Sequence, residues 1–253
     1  MKKTRVLTPL AIAVAALISA QQAAADMWSD GDFIIRAGAS WIDPDDDKRQ
    51  FRLSDNYYGA GFNVDADTTW NISGAWLPVE HWGMELMHIG STKHKLGIKD
   101  IRDGNVTYTT DRYRAGRFDA AYSNAYLNWY PLSRDCLGQP YVGIGVNYTD
   151  FSNEGLSRKL RDRINDPALG LDIRDVDLGL GHSWGFTSQL GVDFRFGRES
   201  AFLVNAAVLY IDADTDQTIY FTDTALPGNP RGSIKEKVDY SPWVFNLGVG
   251  YSF

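Results

Sequence analysis

The last nine residues, Phe245 to Phe253, read FNLGVGYSF. Phe245, Leu247, Val249, Tyr251 and Phe253 alternate with Asn246, Gly248, Gly250 and Ser252, and the chain stops on an aromatic ring. Alternation of period two belongs to a strand with one apolar and one polar face. Such a strand is stable only where the apolar face is covered by protein or by lipid.

Seven more segments alternate in the same way. They are Asp32 to Trp41, Thr68 to Leu77, Trp82 to Leu96, Ala120 to Tyr130, Pro140 to Phe151, His182 to Phe196 and Ala201 to Asp212, followed by Val238 to Phe253. Each is near the ~9–11 residues that a tilted strand needs to cross a bilayer. The connections alternate too. Pro78 to His81, Pro131 to Gln139 and Gly197 to Ser200 are short, whereas Ile42 to Asp67, Gly97 to Asp119, Ser152 to Gly181 and Ala213 to Lys237 are long. Short turns on one side and long loops on the other distinguish an outer-membrane barrel from a soluble sandwich. The expected fold is all-β: an eight-stranded antiparallel transmembrane barrel with short periplasmic turns and long extracellular loops. Trp41, Trp70, Trp76, Trp82, Trp129, Tyr130, Trp184, Phe196, Trp243, Tyr251 and Phe253 fall near segment ends, as two interfacial girdles require.

The front of the chain agrees with export. Lys2, Lys3 and Arg5 precede an apolar run from Leu10 to Ala20, and Ala23-Ala24-Ala25 offers a small-residue cleavage site. Residues 1–25 are expected to be a cleaved signal peptide and 26–253 a single barrel domain. The formal charge of −7 becomes about −10 once Lys2, Lys3 and Arg5 are removed, which argues against a nucleic-acid partner. Mean hydropathy is −0.29, which suits strands that are only half apolar. The acidic run Asp43 to Asp47 is read as a solvated loop near the lipopolysaccharide layer. The single cysteine, Cys136, forms no internal disulfide and is read as incidental.

Several blocks in series resemble the OmpW family: FIIRAGASWIDPDDD (Phe33 to Asp47), WNISGAWLPVEHWGMELM (Trp70 to Met87), KHKLG (Lys93 to Gly97), NAYLNWYPL (Asn124 to Leu132), PYVGIGVNYTDF (Pro140 to Phe151), SWGFTSQLGVDF (Ser183 to Phe194) and DYSPWVFNLGVGYSF (Asp239 to Phe253). The resemblance implies a narrow, largely apolar lumen and passive passage of small hydrophobic molecules across the outer membrane. The implied route enters from outside, is blocked toward the periplasm and exits sideways into the bilayer. Trp184 is the constriction candidate that the resemblance supplies, and an interface anchor is the other reading of that residue. The loops Gly97 to Asp119 and Ser152 to Gly181 are longer than in the short members, so substrate range does not carry over.

Inward positions by alternation include Asn124, Asn128, Gly143, Gly145, Asn147, Asn246, Gly248 and Gly250, and the glycines are expected to leave room in the lumen. Leu209 lies on the second, apolar face of the seventh segment. Arg36, Glu85, Asp193 and Arg195 are the inward charges, expected to form one buried ion network that seals the periplasmic end. Pro242 removes a ladder donor. It marks either a break in the wall usable as a lateral opening or the start of the last strand.

No catalytic, metal or cofactor site is expected. His81, His88, His94 and His182 show no zinc-ligand spacing, and His88 and Ser91 fall on opposite faces of a regular strand. The expected partners are outer-membrane lipids and lipopolysaccharide, small apolar solutes, and the barrel-assembly machinery through Phe253. The alternative function is a structural, adhesive or receptor barrel acting through its extracellular loops.

Overall fold

The computed structural model describes residues 32–44, 48–53, 56–103, 106–109, 113–133, 136–158, 173–196, 201–223 and 231–253. The expected signal peptide, the Gly197 to Ser200 turn and most of the charged stretch within Ser152 to Gly181 lie outside them. The described strands, in chain order, are β1 (Asp32–Asp43), β2 (Lys48–Leu53), β3 (Asn56–Val64), β4 (Asp67–Val79), β5 (Trp82–Asp103), β6 (Val106–Thr109), β7 (Tyr113–Trp129), β8 (Gly138–Leu156), β9 (Ile173–Leu180), β10 (Ser183–Arg195), β11 (Phe202–Ile211), β12 (Asp214–Asp223), β13 (Arg231–Asp239) and β14 (Trp243–Ser252).

Eight of them close a ring in which every neighbour is antiparallel: β1, β4, β5, β7, β8, β10, β11, β14 and back to β1. Closure leaves no open sheet edge around the wall, which a lipid environment demands. No helix among the described residues is long and apolar enough to cross a bilayer; the strands make the crossing. The outward face carries Ile35, Ile72, Leu86, Leu127, Val142, Ile144, Val146, Phe186, Leu190, Leu247 and Val249, all exposed and apolar. That band is favourable only against hydrocarbon.

Aromatic rings bound the band on both sides. Trp41 stacks on Phe245 at 5.2 Å, Tyr148 meets Trp184 at 5.0 Å and Tyr210 meets Trp243 at 5.3 Å on the outer side. Trp82 pairs with Trp129, Phe202 meets Tyr251 at 5.1 Å and Tyr251 meets Phe253 at 4.8 Å on the periplasmic side. On β5 the membrane-spanning stretch therefore ends near Gly90, where Trp70 lies. Tyr130, expected in the girdle, is instead buried inside the barrel, because it continues the inward alternation of β7.

The long connections carry more strand than alternation suggested. β5, β7 and β8 run 22, 17 and 19 residues and carry the wall past the outer belt. There β2 and β3 add to β5, and β6 pairs with β5. β9, β12 and β13 form a separate three-stranded sheet. The eighth segment is split: Val238 and Asp239 belong to β13, and only Trp243 onward joins the barrel.

Candidate functional site: a layered barrel interior

The interior is stratified. Its periplasmic half holds Arg36, Glu85 and Asp193, each almost wholly buried. Arg36 Nε donates to Asp193 Oδ1 at 3.0 Å and Nη1 donates to Glu85 Oε1 at 3.1 Å; Nη2 donates to Asp193 Oδ2. Nη2 also reaches the Tyr130 hydroxyl at 3.4 Å. The remaining carboxylate capacity is met by amides. Asn128 Nδ2 and Gln189 Nε2 each donate to Glu85 Oε2 at 2.8 Å, and Asn205 Nδ2 donates to Asp193 Oδ1 at 2.8 Å. The Arg36 guanidinium also lies 5.5 Å from the centre of the Tyr141 ring, within cation–π range. A buried ion group persists only when its residual donors and acceptors are satisfied, and this one is. Tyr130 and Tyr141 fill the space beside it, with ring centres 5.4 Å apart.

Arg195 stands apart from this network. It is half-buried at the periplasmic rim, with Nη2 3.7 Å from an Asp32 oxygen. The reason is its position, two residues nearer the strand end than Asp193. A hollow below the network is lined by Ile34, Leu77, Tyr130, Asp193, Arg195 and Leu203.

The middle layer is polar. Asn147 Nδ2 donates to Asn124 Oδ1 at 2.8 Å, Thr149 donates to Asn147 Oδ1 at 2.6 Å, and Tyr126 and Thr187 share a hydroxyl bond at 2.9 Å. Ser73 Oγ and Asn246 Oδ1 are buried with no partner among the described residues. The lumen is thus not apolar along its length. Gly143 does not open space either: a Cβ there would run into Asn128 Oδ1 and approach Gln189 Cγ to 2.8 Å. The glycine makes room for the amides that hold Glu85. At Gly145 a Cβ would strike the Ala125 carbonyl, so that glycine permits close approach of β8 to β7.

An apolar layer follows at the height of the outer belt, made by Ile42, Ile89, Leu209, Ile211 and Val244, all fully buried. Leu209 faces inward here. Above it lies an aromatic cap. His94 Nδ1 bonds the Asp65 carbonyl at 2.8 Å, so it carries the proton and donates. The other ring nitrogen then accepts, and the Tyr240 hydroxyl is 2.7 Å from it. Thr92 spends its proton on the Ala120 carbonyl at 3.0 Å. Thr92 Oγ1 also lies 2.7 Å from that nitrogen, and Tyr122 and Tyr240 share a hydroxyl bond at 2.6 Å, so a hydrogen-bonded chain links Tyr122, Tyr240, His94 and Asp65. Phe118 and Phe151 pack edge-on against Tyr240, both at 5.5 Å. Residue alternation in KHKLG signals this inward histidine, since Lys93 and Lys95 on either side point out; no comparable signal marks Tyr240.

At two positions that the sequence left with two readings, the structure favours one. Trp184 is 71% exposed on the lipid side, where it packs on Tyr148, so it is an interface anchor and not a lumen constriction. Its place on β10, in phase with Phe186 and opposite to Ser183 and Thr187, decides this. Pro242 is buried in a closed seam. Its carbonyl accepts from Ile211 N at 3.2 Å, Tyr240 N donates to the Ala213 carbonyl at 2.9 Å, and β14 begins at the next residue. The wall is interrupted elsewhere. The β4–β5 ladder stops at Asn71 opposite Ile89, and β5 bulges between Ile89 and Thr92. Beyond that point the two strands are tied by side chains: Thr69 Oγ1 donates to the Ser91 carbonyl at 3.3 Å, and Asp67 Oδ2 accepts from Lys93 N at 2.8 Å. The bulge also brings Ser91 out to the face of His88, although the hydroxyl nearest His88 is Ser123, 3.1 Å from Nδ1.

The model of the OmpW family matches residues 29–253. The chain belongs to the OmpW family. Outer membrane protein W of Escherichia coli K12 is 29% identical, with 100% of both chains covered, and outer membrane protein W of Vibrio cholerae is 24% identical over 88% of this chain and 89% of its own. Among solved structures, the outer membrane protein OprG of Pseudomonas aeruginosa superposes with a TM-score of 0.69 at 30% identity, covering 88% of this chain and 96% of OprG. The outer membrane protein AlkL, determined in lipid bilayers, shares the fold with a TM-score of 0.57 at 18% identity, covering 89% and 92%. This OmpW-family chain is thus an integral β-barrel protein of the bacterial outer membrane.

Proposed function

We propose that this OmpW-family barrel admits small hydrophobic molecules passively from outside and releases them sideways into the bilayer. The observation that carries this reading is the stratification of the interior. An apolar solute is favoured among Ile42, Ile89, Leu209, Ile211 and Val244. It is rejected by the charged floor of Arg36, Glu85 and Asp193, where it would strip hydrogen bonds from buried ions. A solute that enters the apolar layer and cannot descend leaves through the wall. The proposed exit is between β4 and β5 near Gly90 and Ser91, where side chains replace the backbone ladder at the level of the outer belt. Bulges are common beside functional openings in barrel walls. The exposed Phe253, whose amide donates to the Phe33 carbonyl, is the proposed handle for the barrel-assembly machinery.

The test is entry of a monoaromatic compound into outer-membrane-intact cells with and without the protein, beside a polar solute of equal size. Faster entry of the apolar compound alone is expected. In a Cys136→Ser background, the pair Thr69→Cys and Ser91→Cys closes the proposed exit on oxidation, and reduction reopens it. Equal entry with and without a correctly folded barrel moves the function to the extracellular segments. Flux that ignores the cross-link removes the β4–β5 exit.

A further inference from the structure

Just above the outer aromatic belt, the outward face of β5 and β7 is basic. Lys93 and Lys95 on β5 and Arg114 and Arg117 on β7 are all exposed. The bulge in β5 is what turns both lysines outward while His94 points in. The register sets Lys95 directly opposite Arg117, and Arg114 follows opposite Gly97. Like charges facing one another across a ladder destabilise the pair. None of the four side chains has an ion-pair partner within 4 Å among the described residues. Asp119 stands opposite Lys93 and keeps its charge, with Oδ2 accepting from Asn153 Nδ2 at 2.6 Å, so the net excess of positive charge lies with Lys95, Arg117 and Arg114. Asp67 is turned to the backbone, accepting from the amides of Thr68 and Lys93.

Height decides what could neutralise this face. A strand tilted by about 45° rises ~2.3 Å along the membrane normal per residue. Lys93 and Lys95 lie three and five residues beyond Gly90, hence about 7 and 12 Å above the belt. The headgroup layer reaches ~5–8 Å beyond the hydrocarbon, so Lys93 stands at its outer edge and Lys95 two residues above it. Below the bulge the outward face of β5 carries Ser91 and His88 and then the apolar Leu86 and Met84. A ligand here has its charge at the level of Lys95 and Arg117 and its chains against the wall beneath.

We propose that Lys95 and Arg117, flanked by Lys93 and Arg114, bind a phosphate of an acylated outer-leaflet lipid of the lipopolysaccharide type. The guanidinium of Arg117 presents paired donors that match phosphate oxygens, and Lys95 adds a point charge from the facing strand. This site is on the lipid side of the wall and does not depend on solute passage through the interior.

The experiment measures binding to the purified barrel in nonionic micelles with three probes: diphosphorylated lipid A, the same lipid A with its phosphates removed, and inorganic phosphate. Wild type is expected to hold diphosphorylated lipid A at least about tenfold more tightly than the dephosphorylated form, the scale of one lost charge-assisted contact. Lys95→Gln with Arg117→Gln is expected to lose that preference, and Arg231→Gln, at an exposed arginine of β13, to keep it. Without lipid, the double variant is expected to unfold at the same or a higher temperature than wild type, since the facing charges are gone. Equal binding of both lipids by wild type overturns the proposal, and that arm needs no variant. Retention of the preference by the folded double variant overturns it too, as does displacement of lipid by equimolar inorganic phosphate.

Discussion

Arg36 near the periplasmic end and His94 near the outer end are both buried inside one barrel, yet they close it in different ways. Around Arg36 the cost of burying charge is met by two carboxylates and three amides on strands of the closed wall, and by Tyr130, one residue past the end of β7. Around His94 there is one neutral hydrogen-bonded chain, and two of its members, Asp65 and Tyr240, lie in connections outside the strands. Removing a member of the first leaves an ion without its partner; removing a member of the second leaves one polar atom short. The floor is therefore expected to lose more stability than the cap when one member is removed.

The comparison can be broken most forcefully at the floor. Arg36→Ala strands Glu85 and Asp193 together and is expected to cost ~3–5 kcal/mol of stability, read as a lower urea midpoint for unfolding from vesicles. Replacing Arg36, Glu85 and Asp193 together by Met, Gln and Asn is expected to cost less than Arg36→Ala alone; an equal cost would mean that packing and not charge holds the floor. Gly143→Leu, which drives a side chain into Asn128 and Gln189, is expected to cost ~1–3 kcal/mol in the same assay. It is thus a stability variant and a poor probe of flux. At the cap, Tyr240→Phe breaks the chain between Tyr122 and His94 and is expected to cost ~1 kcal/mol. Faster amide exchange should then appear around Thr92 to Lys95, with the amides around Arg36 unchanged.

The smallest effect is expected with pH. Burial holds His94 below the ordinary histidine value of 6.5, against opposing influence from the Asp65 carbonyl and the carboxylates of Asp67, Asp119 and Asp65, with Tyr240 and Tyr122 the other titratable groups at the cap. Below pH 6.5 the opened state takes up a proton more readily than the closed one. The cap is therefore weakened as pH falls through that value and is insensitive above it. Amide exchange at Thr92 to Lys95 measured from pH 8 to about 5 tests this. A slope that persists in His94→Gln would assign the sensitivity to another group.

The barrel was legible because alternation is a property of each strand alone. The outward band, the two belts and the inward Arg36, Glu85 and Asp193 all follow from counting by twos. What was not legible depends on neighbours. Gly143 reads as empty space until Asn128 and Gln189 arrive from β7 and β10. The bulge after Ile89 shifts the phase of β5, turning Lys93 and Lys95 outward and His94 inward; the Lys-His-Lys alternation shows the outcome, but the extra residue is seen only in the pairing with β7. Strands were missed in the long connections, where β2 pairs with β3 and β12 with β13 inside one connection and β9 pairs with β12 across two.

The seam between β1 and β14 carries one more consequence. Ile34 pairs with Ser252 and Asp43 with Trp243, so the first and last barrel strands are mutual neighbours. Until the final strand has been delivered, β1 and β11 each present an unpaired edge to whatever surrounds them. The ring cannot be completed progressively from the leading end, as a helical bundle or a repeat array can. Its contact order is set by nearly the whole chain. Loss of the final segment would therefore expose two sticky edges at once, and a polypeptide truncated there is a substrate for proteolysis or aggregation instead of a slightly smaller barrel.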